Sequence, residues 1–472
     1  MLLLGSDKSG SNIVCNLRQD KLNPEGIATA PAVEEANECR MCASGSHAIK
    51  LQGDQFEFAG PQQDSLLIGK ADAPLKLSEV MERLVGGNIL GVIAGPSSGG
   101  RTRLFNVHAP SLLAHGPFHA RLDYVLRRSL PVSVGHVIAV DDASEPLAQV
   151  IAGRAESAQV IGRNALDSIP PATQSAIVIA TAVIESGRCL LDISRDLRSI
   201  APNAPLLYLV GFSKTTAEPR REALERTLAQ TVNPYPYQFI EVERMVLPFS
   251  DENNAWASEL KLLINPVVTG LIPHDLQDQI GTRVSRLRKV TEPLRNDLFL
   301  TNGPHRSMRL QPGFVFWPEG IPERTHTQAD VFFTVASVLQ KLRANAHGAA
   351  KSAIKSNWFQ QTILAPENFG RFNDDVIQAS ILRAAYPFEM NFADAPTDSR
   401  ELGRLIRRII AAADKERGGA AAEFLLAMAT KRLRLCPSDA ETVLDNGSTG
   451  ISMIDFLLAV CSSQLRSPPQ VA

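Results

Sequence analysis

One short loop of this chain combines residue types that suit the binding of a phosphate group. Residues 176–180 are apolar and indicate a buried strand, and Ser186 and Gly187 follow shortly before an apolar-periodic segment. Because glycine adopts a positive φ without steric cost, a turn at Gly187 can bring backbone N–H groups and the Ser186 hydroxyl together at a helix N-terminus. The pattern predicts a site for a phosphomonoester, and an ordinary strand-to-helix turn is the alternative.

The stretch resembles the PRPP-binding signature of type I phosphoribosyltransferases: four apolar residues, two acidic residues, three variable residues, then Thr-Gly-x-Thr or Ser. Residues 177–180 are the apolar four, and Thr181 and Ala182 stand where the two acids would be. The phosphate loop would consist of Ser186, Gly187, Arg188 and Cys189. In that family the acids hold the ribose hydroxyls, directly or through Mg²⁺. The resemblance therefore implies PRPP or a nucleotide as ligand, with altered or lost transferase chemistry.

Other side chains near this loop could also contact such a ligand. The best phosphate contacts, through hydroxyl, backbone N–H and guanidinium groups, are Thr181, Ser186, Gly187 and Arg188. Glu185 could hold a ribose hydroxyl or Mg²⁺ in place of the missing acids, and a solvated loop residue is the alternative. Lys214 follows the next predicted strand and would lie near the same edge of the sheet.

A second loop comes earlier in the chain, after an apolar strand at residues 136–140. It contains Asp141, Asp142 and Ser144. In the family that the chain resembles, the pyrophosphate-binding loop comes at this point in the order of elements. Acidic residues repel a pyrophosphate, so the order of elements fits the family and the chemistry does not.

Residues 95–102 partly match the sequence motif of a different class of protein. They fit the P-loop spacing Gly-x4-Gly-Lys-Ser/Thr, except that Arg101 replaces the lysine, and residues 137–142 would supply an apolar run with an acid. A planar guanidinium does not reproduce the compact charge of lysine, and Pro110 leaves room for only a short helix. A P-loop-like NTPase is thus a second alternative, and a Gly-rich connection is favoured.

Three of the six cysteines lie close to the N-terminus, where Cys39 and Cys42 form a CxxC pair. Four such ligands can bind Zn²⁺ in a tetrahedron. The candidate zinc ligands are Cys15, Cys39, Cys42 and His47. A redox pair and cysteines without a special role are the alternatives.

The composition is that of a globular protein with several domains. Of 472 residues, 44% are hydrophobic and 21% charged, and the formal net charge is -2. This balance gives no overall electrostatic reason to expect nucleic acid or a membrane as partner, so a basic surface must be local. The candidate for a nucleic acid interface is the stretch Arg283, Arg286, Arg288 and Lys289. No apolar run approaches a membrane span, and we expect a cytoplasmic protein.

The elements that must position these residues alternate between strands and helices. Strand-like runs at 132–140, 176–180 and 206–211, each followed by a helix-like segment, predict a parallel sheet covered by helices. The fold class is α/β, with a phosphoribosyltransferase-like sheet domain, a small Cys-containing N-terminal module and an α-helical C-terminal domain. The predicted segments are 1–75 for the module, 76–245 for the sheet domain, 246–345 for a mixed linker or subdomain and 346–472 for the helical domain.

Helical periodicity dominates from residue 330 onward. The predicted helices are 331–342, 374–385, 399–413, 420–433 and 452–463, with breaks that include Pro396 and residues 437–446. Asn373 or Asp374 can cap the second of these helices. Gln378 and Arg383 could reach a ligand or partner, and packing against neighbouring helices is the alternative.

Two functional hypotheses follow. The favoured one is a phosphoribosyltransferase-like protein with a degenerate site, which binds a nucleotide or phosphoribosyl ligand as a regulatory or partner-binding subunit, for example of a bacterial multi-component defence system. Protein partners are expected in that case. The alternative is an active Mg²⁺-dependent phosphoribosyltransferase, or an enzyme that cleaves a nucleotide N-glycosidic bond.

Overall fold

The computed structural model describes most of the chain from residue 49 onward. The described residues are 49–52, 55–58, 77–95, 103–155, 158–230, 237–249, 254–303, 308–310, 326–346, 365–366, 369, 374–415, 418–445 and 447–466. The chain forms two compact units. The helical unit comprises Met1–Ala71, Gly91–Asn106 and Phe249–Ala472, and the sheet unit comprises Asp72–Leu90 and Val107–Pro248. The four segments predicted from the sequence stay a prediction.

Strands and helices are numbered along the chain. The strands are β1 Ile49–Gln52, β2 Gln55–Phe58, β3 Leu90–Val92, β4 Phe105–Val107, β5 Val134–Ala139, β6 Gln159–Gly162, β7 Ala176–Ile184, β8 Leu206–Thr215 and β9 Gln238–Val246. The first six helices are α1 Leu77–Glu82, α2 Ala109–Ala114, α3 Gly116–Ser129, α4 Glu145–Ala152, α5 Arg188–Ile200 and α6 Glu218–Ala229. The others are α7 Ala255–Leu263, α8 Pro266–Thr269, α9 Gln277–Arg288, α10 Gln328–Ala346, α11 Asp375–Ala384, α12 Pro396–Ala411, α13 Ala421–Ala429, α14 Pro437–Leu444 and α15 Ser452–Arg466.

Five strands form the sheet of the sheet unit. Their order is β6-β5-β7-β8-β9, and every pair of neighbours is parallel. By order of appearance the strands run 2-1-3-4-5, a common arrangement of doubly wound α/β folds. The predicted α/β class with a parallel sheet is therefore confirmed.

The central strand β7 shows why the sheet forms here. All of its residues except Val183 are buried, as expected of a parallel strand that is covered on both faces. On one face, Ile177 and Ile179 belong to the same apolar cluster as Leu190 and Ile193 of α5. This packing anchors α5 on the sheet, so the helix N-terminus is held beside the end of β7.

The strands end at different levels along the carboxyl edge. β5 pairs with β7 as far as Ala139 opposite Ala180, whereas β7 continues to Ile184, which pairs with Ser213 of β8. The prediction that β7 ends at residue 180 is wrong. Residues 181–184 remain paired with β8 beyond the point where the pairing with β5 ends.

The described part of the C-terminal region is helical, as predicted. Two of the predicted breaks between helices are wrong. The segment 437–446 contains α14, and Pro396 is the first residue of α12. Proline is tolerated in a first helical turn because the N–H groups there need no partner within the helix. The predicted cap of α11 is confirmed, since Oδ1 of Asp374 accepts hydrogen bonds from the N–H groups of Val376 and Ile377, both at 3.0 Å.

Four charged side chains form a chain of ion pairs inside the helical unit. Arg283 donates to Glu259 at 2.7 and 3.0 Å, and Arg383 contacts Glu259 at 2.8 Å and Glu423 at 2.7 Å. All four residues are buried. Burial raises the pKa of Glu259, but the charges of Arg283 and Arg383 outweigh it and hold that pKa below its ordinary value. Arg383 is therefore a core residue, in line with the packing alternative.

Some predicted features lie outside the described residues. They are the zinc ligands Cys15, Cys39, Cys42 and His47, and residues 96–102 of the Gly-rich stretch. The N-terminal module and its Zn²⁺ therefore stay predictions. The P-loop alternative loses its support, because β4, Phe105–Val107, lies where the helix after a P-loop would begin. Within the described ranges, none of the helices combines the length and the hydropathy that a membrane span needs.

Candidate functional site

The loop between β7 and α5 consists of Glu185, Ser186 and Gly187. Gly187 is the N-cap of α5 and has a φ of 67°, so the positive φ predicted for it is confirmed. A Cβ atom at this position would lie 2.5 Å from Cδ2 of Leu224 in α6. The backbone angle therefore requires glycine, and an added Cβ would also displace the end of the Leu224 side chain.

The N-terminus of α5 has the features of an anion site. Its N-cap, Gly187, has no side chain that could accept a hydrogen bond from the first turn. The N–H groups of a first helical turn have no partner within the helix, and the helix dipole favours negative charge there. Ser186, Arg188 and Cys189 are exposed at this terminus. A phosphate could accept hydrogen bonds from the backbone and pair with the Arg188 guanidinium.

One predicted phosphate contact, Thr181, and one residue of the second loop, Ser144, lie in the interior instead. Thr181 is part of β7 and is 1% exposed. Ser144 is fully buried. Its Oγ accepts a hydrogen bond from the N–H of Ala182 at 2.9 Å and donates one to Oδ1 of Asp141 at 2.5 Å. Ser144 thus ties the second loop to β7 just beyond the last residue pair between β5 and β7.

Replacing Ser144 with alanine should lower the free energy of unfolding of the sheet unit by about 1 to 3 kcal/mol, because the buried N–H of Ala182 loses its acceptor. Urea unfolding followed by far-UV circular dichroism measures the change. The control is Ser199→Ala at an exposed position of α5, where we expect a change within about 0.5 kcal/mol. Equal losses in the two variants would show that the Ser144 bridge contributes no more than an exposed hydroxyl.

The charges beside the loop are mixed. Lys214, predicted to follow the strand, lies within β8 near its end and contacts Glu185 at 3.5 Å, with its side chain 10% exposed. Because Lys214 offsets the charge of Glu185, these two residues and Arg188 together carry a net positive charge. Asp141 and Asp142, both exposed, follow β5.

The two predicted loops follow neighbouring strands at the point where the strand order reverses. The loop with Asp141 follows β5 and the loop with Ser186 follows β7, and these strands pair with each other. In open parallel sheets, ligands bind outside the carboxyl ends of the strands at this switch point. The sheet topology therefore puts residues 185–187 where a ligand is expected.

The carboxylates at this edge do not form a dedicated metal site. Among the residues that the structure describes, no group of three or more His, Cys, Asp and Glu side chains is arranged to hold a metal ion. Glu185 contacts Lys214, and Asp141 accepts a hydrogen bond from Ser144. Magnesium is commonly held by one or two carboxylates together with the phosphates of the ligand. Mg²⁺ at this edge stays a prediction that depends on such a ligand.

The basic stretch at the end of α9 is largely engaged in internal pairs. Arg283 is buried against Glu259, Arg286 donates to Asp297 at 2.6 Å, and Lys289 contacts Glu292. The nucleic acid interface predicted for this stretch stays a prediction, and the buried Arg283 is unsuited to take part in it.

The chain matches no protein-family model and no curated protein. Among solved structures, it is similar to UMP synthase of Leishmania donovani, with 11% identity, a TM-score of 0.27, and coverage of 47% of this chain and 43% of that one. The orotate phosphoribosyltransferase of Aeropyrum pernix shares 18% identity at a TM-score of 0.25, over 36% of this chain and 93% of that one. That of Mycobacterium tuberculosis, in complex with inorganic phosphate, shares 14% identity at a TM-score of 0.25, over 35% and 95% of the two chains.

Proposed function

We propose that the sheet unit binds the phosphate of a nucleotide or phosphoribosyl compound at the loop before α5, and that it acts as a regulatory or partner-binding unit. The observation that carries this proposal is the left-handed Gly187 at the N-terminus of α5, beside the switch point of the sheet. Backbone N–H groups, the Ser186 hydroxyl and the Arg188 guanidinium supply the donors that a phosphate requires.

The surroundings of the loop argue for binding without transferase chemistry. Thr181 and Ala182 stand in place of two acids and are buried within β7, so neither supplies a carboxylate to a ribose. The N–H of Ala182 is used by Ser144. Asp141 and Asp142 place negative charge at the end of β5, which disfavours a pyrophosphate there. Glu185 is the acidic residue of the loop itself, and its contact with Lys214 weakens its use as a metal ligand.

The test is a titration of the full chain with PRPP, ribose 5-phosphate and nucleotides, with and without Mg²⁺, by isothermal calorimetry with product analysis. The double variant Ser186→Ala/Arg188→Gln should bind the preferred compound roughly 10-fold or more weakly, the scale of losing charge-assisted hydrogen bonds of about 1.5 to 3 kcal/mol. The matched control is Arg195→Gln/Ser199→Ala, at exposed positions of the same helix, which should keep the affinity of the wild type.

The outcomes separate the hypotheses. Lack of affinity for every phosphoribosyl compound and nucleotide, or equal affinity of the site variant and the wild type, contradicts the proposal. Turnover that requires Mg²⁺ replaces the binding-only version with the active transferase or N-glycosidic enzyme.

A further inference from the structure

Helix α12 of the helical unit presents a face of arginines to solvent. Arg400, Arg404, Arg407 and Arg408 are all exposed, and their spacing of three to four residues puts them on one side of the helix. This set is called the arginine face. The opposite side is apolar and buried, with Leu402, Ile406, Ile409 and Ile410, and the buried Leu405 lies at the border between the two sides.

The buried stripe fixes the orientation of the arginine face. Leu402, Ile406 and Ile410 are each 2% exposed or less, so the helix cannot rotate without exposing its apolar side. Within the described ranges, no carboxylate forms an ion pair with Arg400, Arg404 or Arg408. Among the described residues, therefore, no carboxylate neutralises these three guanidiniums.

A groove lies along this face. It has a volume of about 840 Å³, and its lining includes Arg404, Arg407, Arg408, Leu405 and Glu401. This volume is many times the roughly 30 Å³ that one water molecule takes up in the liquid. The groove therefore has room for more than a single phosphate group. None of the described lining residues is aromatic, so none of them offers a ring on which a base could stack.

We propose that the arginine face binds the phosphodiester backbone of nucleic acid without reading its sequence. The guanidiniums from Arg400 to Arg408 extend along about 12 Å of helix, at a rise of roughly 1.5 Å per residue. A row of planar donors suits a row of phosphates, because each guanidinium can donate two parallel hydrogen bonds to one phosphate. Contacts to the backbone alone give affinity and no base preference.

The test uses fluorescence anisotropy of the full chain with labelled oligo(dT) and oligo(U) of about 20 nucleotides, longer than typical single-strand sites. Titrations at several salt concentrations should show affinity that falls as salt rises, for both DNA and RNA. In the triple variant Arg400→Gln/Arg404→Gln/Arg408→Gln, affinity should fall roughly 10-fold or more and the slope of log K against log salt should shrink by about 2.

Two further variants sharpen the test. Arg127→Gln/Arg195→Gln/Arg226→Gln removes the same charge from exposed sites of the sheet unit and should keep wild-type affinity within about 2-fold. Glu401→Gln removes the acidic residue of the groove lining and should strengthen binding by roughly 2- to 3-fold, a gain that a misfolded variant could not give.

Four results would overturn the proposal: no binding of either oligonucleotide by the wild type, unchanged affinity in the arginine-face variant, an equal loss in the control, or displacement by polyglutamate as effective as by unlabelled oligonucleotide. The last result would indicate an acidic protein segment as the partner. None of these variants alters Ser186 or Arg188, so the outcome is independent of the phosphate site of the sheet unit.

Discussion

Replacing Arg383 with methionine should lower the free energy of unfolding of the helical unit by about 3 to 5 kcal/mol, the usual cost of removing one partner of a buried ion pair. Arg383 lies between Glu259 and Glu423 and contacts both carboxylates. In its absence Glu259 still has Arg283, whereas Glu423 is left with the N–H of Leu300, at 2.6 Å, among its described contacts. Methionine fills much of the same space as arginine. The loss of stability therefore comes mainly from the buried Glu423 carboxylate that has lost its arginine partner.

Tryptophan fluorescence during urea unfolding follows this unit, because all three tryptophans, Trp256, Trp317 and Trp358, fall within its sequence range. The control is Arg434→Met at an exposed position, which should change the free energy of unfolding by less than about 0.5 kcal/mol. Equal losses in the two variants would contradict the interpretation that Arg383 is a paired charge in the core.

The ion pairs of the helical unit mark a limit of sequence analysis. Glu259, Arg283, Arg383 and Glu423 are far apart in the chain, and nothing local distinguishes a buried arginine from a solvated one. Arg283 shows the consequence, because it looks like part of a basic surface stretch and is 9% exposed. What brings the four together is the packing of α7, α9, α11 and α13, which depends on the whole helical unit.

In the sheet unit, more of the structure could be predicted from neighbouring residues in the sequence. The apolar run of β7 and the glycine at its end were enough to predict a strand, a turn with positive φ and a helix, because these depend on neighbouring residues. The end of β7 was misjudged because residues 181–184 are held by pairing with β8, a non-local contact. The same holds for Ser144, whose hydroxyl looks like a ligand contact in the sequence and is used by Ala182 in the fold.

Replacing Gly187 with alanine should lower the free energy of unfolding of the sheet unit by about 2 to 5 kcal/mol. A left-handed backbone costs an L-residue about 1 to 2 kcal/mol, and the added methyl group must displace Leu224, whose Cδ atoms would lie 2.5 and 2.8 Å from it. Leu224 packs against the apolar cluster of the sheet, so its movement adds an overpacking cost of about 1 to 3 kcal/mol.

Gly162 supplies the matched control for this substitution. It ends β6 in the same unit, has a φ of -82°, and its Cβ would meet nothing within 4 Å. Gly162→Ala should therefore be neutral, or stabilising by up to about 1 kcal/mol through the unfolded chain. Urea unfolding by far-UV circular dichroism gives both values, and hydrogen exchange at the first turn of α5 locates the effect of Gly187→Ala. If both variants were equally stable, neither the backbone angle nor Leu224 would constrain the loop, and the rigid N-terminus on which phosphate binding depends would lose its support.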